Sequence, residues 1–426
     1  MGKKCSEFQP KRDPLFGASD VSHTTLWRRI AVKKNVVLSY ILRSFAGYFD
    51  SLNRIVEQGG KFRWGVSIDD MWTYAGSFPP KSILIPHLPP VQLPQGPFSH
   101  DFGLKPSGGH RPEIPSTVAF FDLSGSQRRA LPRVLSRNLA RSLKHGKVDF
   151  VRCWFQWNLF QPEIRAEAKQ EYQFPLDYFV DTMNASGISV IAVLGCGYYR
   201  FLPKGLDIDD PRVYLARLKD ASREIVRHHS GKISMWQLEN EPNWWLEHFA
   251  TDWRRGRVWF QKDIQETILD ALQLIVKEED PATQTMINLE SEALGKSSVG
   301  FAKYCNVLGV DCYPNYIHAN PIQIPKFSKA LDISKMAEIP LMITETGYPS
   351  APNLFGFNEE RQAQFVETVC DAAHSTDFIS ALGVWRLTDP YWFSFPPQEN
   401  EFGLIDRRGS PKKAWSTFLS RIKQSH

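Results

Sequence analysis

The chain has 426 residues, 42% of them hydrophobic and 23% charged, an ordinary globular balance that excludes a mainly disordered chain and a fibrous repeat. Its length suits one large domain or two ordinary ones, and a barrel of alternating strands and helices can take up most of such a chain as a single unit. The net charge of +5 is uneven: residues 1–63 hold 12 Lys/Arg against 5 Asp/Glu, and the rest 39 against 41. The basic surplus therefore belongs to the N-terminal segment, and no nucleic-acid partner is expected for the remainder.

In chain order, residues 1–23 read as a poorly ordered basic tail. The start, Met1-Gly2-Lys3-Lys4-Cys5-Ser6, lacks the apolar core of a secretory signal. It matches the short N-myristoylation pattern at Gly2, with Cys5 open to a second acyl chain. Membrane association is expected only if that terminus is acylated, because a single chain binds weakly. Residues 24–58 carry Leu26, Ile30, Val37, Ile41, Phe45, Phe49, Leu52, Ile55 and Val56 at helical spacing, which predicts helix packed on the main body. The run 35–49 is too short, and too interrupted by Arg43, to span a bilayer. Ten prolines between 78 and 115 exclude regular helix or central strand there.

From about residue 116 short apolar runs alternate with amphipathic stretches. The predicted strands are 117–122, 148–154, 188–194, 233–239, 284–290, 306–312, 340–345 and 380–386. Helices are predicted at 126–144, 175–186, 211–229, 257–279, 325–337, 358–374 and 411–423. Continuous apolar strands separated by helices predict a parallel sheet covered on both faces. Eight such units predict a (β/α)8 TIM barrel. The expected organisation is a tail over 1–23, a helical and Pro-rich extension over 24–115, and a catalytic barrel over 116–426. An alternative first strand is 62–68 (FRWGVSI), with the Pro-rich segment as an insertion; periodicity alone does not choose between them.

Six cysteines (Cys5, Cys153, Cys196, Cys305, Cys312 and Cys370) form no CxxC pair. Buried free thiols in a reducing, cytoplasmic setting are the plain expectation. No His/Asp cluster with ligand spacing stands at a strand end, so neither metal nor cofactor is expected in catalysis. His228, His229 and His248 read as solvated. The 13 Trp favour a pocket lined by rings.

Function in such a barrel sits at the C-terminal ends of the strands. The fourth predicted strand ends Leu238-Glu239-Asn240-Glu241-Pro242 and the seventh Ile343-Thr344-Glu345-Thr346-Gly347. A strand-end carboxylate usually faces water or ligand, because burying it unpaired costs several kcal/mol. These two strands stand on roughly opposite sides of an eight-strand barrel, so the two Glu would flank a slot. Two carboxyls flanking a slot are what glycosidic cleavage requires, with retention at ~5–5.5 Å and inversion at ~6.5–9.5 Å. Taken alone, Glu241 fits a loop-capping residue better than a catalytic one; its pairing with Glu345 and the chain order reverse that preference. Glu239, Glu290 and Glu292 lack that context and read as supporting or surface groups.

Asn240-Glu241-Pro242 with Thr344-Glu345-Thr346-Gly347 resembles the retaining glycoside hydrolases of clan A, the cellulase-like family 5 and its relatives. The resemblance extends in order through Val151-Arg152-Cys153-Trp154, Gln161-Pro162-Glu163, Val310-Asp311-Cys312-Tyr313-Pro314 and Val384-Trp385. It continues with Asn400-Glu401-Phe402-Gly403 and Pro411-Lys412-Lys413-Ala414-Trp415. It covers roughly residues 116–420, and residues 1–115 find no counterpart. It implies hydrolysis of a β-linked glycoside through a covalent glycosyl-enzyme, with Glu241 as general acid/base and Glu345 as nucleophile. It further implies that Asn240 bonds the sugar 2-hydroxyl, Tyr313 orients Glu345, and Arg152 holds Glu345 ionised. Trp385 would lie under the sugar, with Trp154, Trp245 and Glu401 completing the substrate-binding set. The expected partner is a carbohydrate or glycoconjugate. Trp154, Trp157, Trp244, Trp245 and Trp392 each fit packing as well as a sugar platform. A transglycosylase using the same residues, and a carbohydrate-binding barrel without catalysis, are the alternative functions.

Overall fold

The computed structural model describes residues 62–68, three two-residue strands at 82–83, 91–92 and 99–100, and most of the chain from 125 to 425. Outside the described residues lie 1–61, most of 69–124, and 158–160, 162–169, 195–202, 207–209, 244–261, 315–326, 353–355, 390–392, 395–396 and 407–409, with a few single positions. The expected tail, the helix over 24–58, Gly2, Cys5, Cys196, His248, Trp244, Trp245 and Trp392 therefore fall outside it.

Eight parallel strands close on themselves: β1 (Arg63–Ile68), β2 (Phe150–Trp154), β3 (Ser189–Val193), β4 (Met235–Asn240), β5 (Gln284–Glu290), β6 (Val307–Asp311), β7 (Leu341–Glu345) and β8 (Ile379–Trp385). Each pairs with its sequence neighbour, and β1 pairs with both β2 and β8 to complete the barrel. Each strand is followed by a helix: α1 (Gly125–His145), α2 (Gln170–Ala185), α3 (Pro211–His228), α4 (Lys262–Glu279), a 3-10 helix (Lys296–Tyr304), α5 (Phe327–Ala337), α6 (Glu359–His374) and α7 (Lys413–Ser425). This is the (β/α)8 TIM barrel that the alternation predicts.

The first strand differs from the first choice. It is Arg63–Ile68 and not 117–122, so the barrel begins ahead of the boundary expected at 116, and the Pro-rich stretch is an insertion between β1 and α1. Packing supplies the reason that periodicity lacks. Seven strands each give one side chain to an interior plug: Phe150, Ile191, Met235, Met286, Val307, Met342 and Ala381. The eighth, β1, gives Gly65, which stands beside Phe150 and Gly383 in register. A Cβ there would lie 2.1 Å from the Phe150 ring. The plug thus has room for one large ring on that side, and β1 must be bare there.

Outward-facing residues such as Val151, Cys153, Trp236, Leu238, Ile287, Leu289, Leu382 and Val384 join a second core against the helices. Two apolar faces explain why the strands read as unbroken apolar runs. Helix starts are capped where sequence allows: Asp210 accepts from Arg212 N at 2.9 Å with Pro211 next in line, and Asn358 accepts from Arg361 N at 2.9 Å. The chain's end ties to its first strand, because Trp64 Nε1 donates to Ser425 Oγ at 2.7 Å.

The cysteines Cys153, Cys305, Cys312 and Cys370 are buried thiols outside any disulfide. His229, expected in solvent, is instead fully buried. It bonds the Ile225 carbonyl, packs edge-on against Phe155, and with His228 faces Asp177 of α2. Sequence misses this because α3 ends on that pair and the partner acid belongs to another helix. No described helix is long and apolar enough to cross a membrane.

The plug makes a direct prediction. Gly65→Ala must displace the Phe150 ring or the backbone, so unfolding in urea should show a loss of about 1–3 kcal/mol. An unchanged midpoint would contradict this packing.

Candidate active site

Side chains on a strand alternate, so the residue two positions beyond each plug residue points the same way, toward the C-terminal mouth. Five of those eight positions are polar, Ser67, Arg152, Gln237, Asn288 and Thr344; the other three are Val193, Gly309 and Gly383. The floor of the site is therefore a polar layer laid on the apolar plug. Because these side chains are buried, each polar group needs a hydrogen-bond partner.

They do so through one connected network. Arg152, wholly buried, donates from Nε to Gln237 Oε1 at 2.6 Å, from Nη2 to Asn240 Oδ1 at 2.7 Å and from Nη1 to Glu345 Oε1 at 2.5 Å. Gln237 Nε2 donates to Asn288 Oδ1 at 2.6 Å, and Asn288 Nδ2 donates to Asn240 Oδ1 at 2.9 Å and to Asp311 Oδ2 at 2.5 Å. Thr344 Oγ1 donates to Asp311 Oδ1 at 2.7 Å. Tyr313 donates its hydroxyl to Glu345 Oε2 at 2.6 Å, so each oxygen of Glu345 has its own donor.

Glu241 stands just past β4, half-buried, with φ +47°. That left-handed conformation is uncommon for a residue with a side chain and persists where surroundings impose it. Asn288 imposes it: the Glu241 amide donates to both the Asn288 carbonyl and its Oδ1 at 3.1 Å. The Glu241 carboxyl is pushed well above the ordinary carboxylate range, first by burial and then by the negative charges of Glu345 and Glu290. A hydrogen bond with Asp311 and the Arg152 charge act in the opposite direction. Glu241 and Glu345 thus sense one another electrostatically, while Glu345 has the ion pair.

Asn240 Oδ1 is occupied by Arg152, Asn288 and Gln237 Nε2, so the group this side chain has left for a ligand is its Nδ2 amide. Trp385 ends β8 half-exposed, with the Arg386 guanidinium 4.7 Å from its ring centroid. Gly347 permits that placement, since a Cβ there would lie 2.1 Å from the Trp385 carbonyl oxygen. Trp154 is buried, with the Arg152 guanidinium 5.8 Å from its ring. Trp157 is also buried.

Glu401 is half-buried, and its carbonyl receives Ser350 N at 2.9 Å. Its carboxylate lies 3.8 Å from Lys412 Nζ, whose main partner is buried Asp389 at 2.7 Å. Burial pushes Asp389 up to about 6 despite that lysine. Glu290 is buried at the end of β5 and accepts from the amides of Glu292 and Ala293 at 2.6 and 2.9 Å; burial pushes it up to about 7. Glu239 is buried too and accepts from Asn240 N.

The structure therefore brings Arg152, Asn240, Glu241, Tyr313 and Glu345 together, places Trp385 at the end of the adjoining strand β8, and puts Glu401 on a turn tied back through Ser350 and Lys412. Trp245 lies outside the described residues. Gln237, Asn288, Asp311 and Thr344 received no role from sequence. For Gln237, Asn288 and Thr344 the signal was a polar residue inside a buried apolar strand, two positions from a plug residue; Asp311 ends its strand four positions from Val307. Among the described residues, Asp177, His228 and His229 form the cluster whose ligand atoms come within 4.8 Å of one another. It joins α2 to the end of α3.

No protein-family model and no curated protein sequence matches the chain. Solved structures do. A GH5_18 protein from Streptomyces cattleya, in complex with GlcNAc, superposes with a TM-score of 0.58 at 16% identity, over 72% of this chain and 77% of that one. A GH5_18 protein from Bifidobacterium longum subsp. infantis gives 0.57 at 14%, over 85% and 79%. A beta-glucosidase from Thermotoga maritima gives 0.58 at 12%, over 86% and 98%. The chain shares its (β/α)8 fold with these glycoside hydrolases. At such identities the likeness establishes the architecture, and the chemistry has to be argued from the site.

Because Arg152 is buried against Glu345, removing it should be expensive. Arg152→Met should lower the unfolding free energy by about 3–5 kcal/mol, the usual consequence of leaving a buried charge unpaired. Adding Glu345→Gln should then cost less than it does alone, and urea denaturation of the four proteins reads that coupling directly.

Proposed function

We propose that this protein is a retaining β-glycosidase. The observation that carries the reading is the contrast between two neighbouring carboxyls. Glu345 has an arginine and a tyrosine hydroxyl on its two oxygens. Glu241 is pushed toward its protonated form by burial and by that same negative charge. Pairs of carboxyls whose surroundings push them apart are how one site supplies both an acid and a nucleophile.

In the first step an oxygen of Glu345 attacks the anomeric carbon as the bond to the leaving oxygen breaks, and the Glu241 proton passes to that oxygen. The product is a glycosyl ester on Glu345. Esterification removes the negative charge that raised Glu241, so after giving up its proton Glu241 stays a carboxylate and is available as the base. In the second step it takes a proton from water, the water oxygen bonds the anomeric carbon, and Glu345 departs as a carboxylate. The Asn240 Nδ2 amide is the donor suited to a sugar hydroxyl, Trp385 offers a ring for the apolar face of a pyranose, and Glu401 can accept from hydroxyls further out. The neighbours solved with GlcNAc, and as a beta-glucosidase, support a β-linked pyranoside as the substrate class.

Glu345→Ala should abolish turnover of aryl β-glycosides, and azide should restore it by forming the inverted glycosyl azide. Near-normal activity in that variant would overturn the reading. For Glu241→Ala, the loss should be about 10²–10⁴-fold on glycosides with poor leaving groups and far smaller on activated aryl glycosides. Equal losses on the two substrate types would exclude it as the acid.

A further inference from the structure

Three carboxyls, Glu241, Asp311 and Glu345, interact with one another around the guanidinium of Arg152, and a fourth, Glu290, acts on Glu241 from β5. The reaction described above uses two of those carboxyls and leaves Asp311 without a task. Asp311 ends β6 and is wholly buried. In register it faces Glu290 on β5 and Glu345 on β7. It is held by Asn288 Nδ2 at 2.5 Å and Thr344 Oγ1 at 2.7 Å, and its carboxyl meets the Glu241 carboxyl in a hydrogen bond. The titratable and charged groups around it are Arg152 from β2, Glu241 from β4, Glu290 from β5, Glu345 from β7, and Cys312 and Tyr313 from its own strand end.

Counting charge decides its state. Arg152 directs its hydrogen bonds to Gln237, Asn240 and Glu345. Were all three carboxyls ionised, two negative charges would stay uncompensated in a buried site, and groups so placed take up protons instead. Glu345 has the ion pair, so the protons belong on Glu241 and Asp311. Asn288 can only donate to Asp311 through Nδ2, because its Oδ1 is already taken by Gln237 Nε2 and the Glu241 amide. The hydrogen that Asp311 can give is then available to Glu241.

We propose that Asp311 is a positioning residue for the acid/base step, a permanently neutral carboxylic acid whose O–H donates to Glu241 and steadies the carboxylate left there when its proton goes to the leaving oxygen. The inference rests on the glycosidase reading for its kinetic consequence and on the buried charge count for its structural one. The proton balance is simple. Glu241 gives its own proton to the glycosidic oxygen and regains one from water, while Asp311 keeps its proton throughout. The bond between them strengthens as charge appears on Glu241, because hydrogen bonds to ions are the stronger kind. The directions agree: burial first, then the charges of Glu345 and Glu241, push Asp311 well up, and the Asp311 hydrogen bond draws Glu241 back down.

Two variants separate a neutral donor from a charge. Asp311→Leu keeps the branched shape and removes the donor. With nothing steadying its anion, Glu241 should hold its proton more tightly, and the basic limb of kcat/KM should move up by about one pH unit, a tenfold change in ionisation. Turnover of poor leaving groups should fall roughly tenfold with little change in KM. Asp311→Asn supplies an uncharged N–H to Glu241 and a carbonyl to Asn288, and should bring the limb back toward the wild-type position. If Asp311→Asn instead moved the limb down by a unit or more, Asp311 would be a carboxylate acting by repulsion, and the proposal would fail. It would fail equally if Asp311→Leu left the limb in place.

Infrared difference spectra give a reading independent of turnover and of whether the leucine variant folds. Wild type minus Asp311→Asn at neutral pH should show the carbonyl band of one protonated carboxyl. A carboxylate band in its place would overturn the assignment even if no glycoside were cleaved. Inactivity of the wild type toward glycosides, with the protonated band present, would count against the glycosidase reading alone.

Discussion

The Arg152 guanidinium lies wholly inside the barrel, and its hydrogen bonds reach two side chains of β4 and one of β7. A buried cation has to be paired and hydrogen-bonded, or the fold loses several kcal/mol. That requirement fixes much of what surrounds it. Glu345 must be an anion on one side, and Gln237 and Asn240 must turn their oxygens inward on the other. Once Asn240 Oδ1 is committed, Asn288 shares it, and Asn288 in turn sets the backbone of Glu241. The two carboxyls proposed for catalysis are thus placed by one network that begins at a single guanidinium. Its parts should behave as a unit, with effects that do not add.

The barrel's vertical order makes room for this network. The seven-residue plug seals the N-terminal half, and the polar layer begins two residues further along the strands. The period of two in a strand therefore separates the two jobs cleanly. Apolar side chains exclude water below, and polar ones above are held rigid by each other. The glycines fit this account. Gly309 lies against Asn288 and Thr344, where a Cβ would come within 2.9 Å of the Asn288 side chain. Bulk at Gly309 would push apart the two residues that hold Asp311.

Much of this was legible in the sequence, for identifiable reasons. Seven of the eight barrel strands, β2 to β8, were found within one or two residues, because two buried faces make an unbroken apolar run. Glu241 and Glu345 were visible because they stand at the ends of two such runs, Glu241 one step past β4 and Glu345 as the last residue of β7, with Asn-Pro or Thr-Gly around them. The first strand was ambiguous because 62–68 and 117–122 are both short and apolar. What distinguishes them is the fit of Gly65 to Phe150, a contact between residues 85 positions apart. His229 was misplaced for a similar reason, since the acid facing it, Asp177, is supplied by another helix. Gln237, Asn288, Asp311 and Thr344 carried only a weak local signal, a polar residue in or at the end of an apolar strand, and only closure of the barrel puts the four together.

The arrangement also implies a tension between fold and function. A wholly buried Asp311 and a half-buried Glu241 held at φ +47° are each unfavourable by ordinary measures: the buried carboxyl loses its hydration, and backbone strain of the Glu241 kind costs about 1–3 kcal/mol. Replacing the whole buried ion pair by well-packed apolar residues would often stabilise a barrel of this design, whereas removing one partner alone would not. The plug and the outer core carry that burden, with dozens of buried side chains between strands and helices. The barrel can therefore hold a set of groups that would not stay together in water. Their unequal surroundings matter more than the mere presence of two acids. A pair of equally solvated glutamates at the same strand ends would both be ionised at neutral pH, with no proton to give.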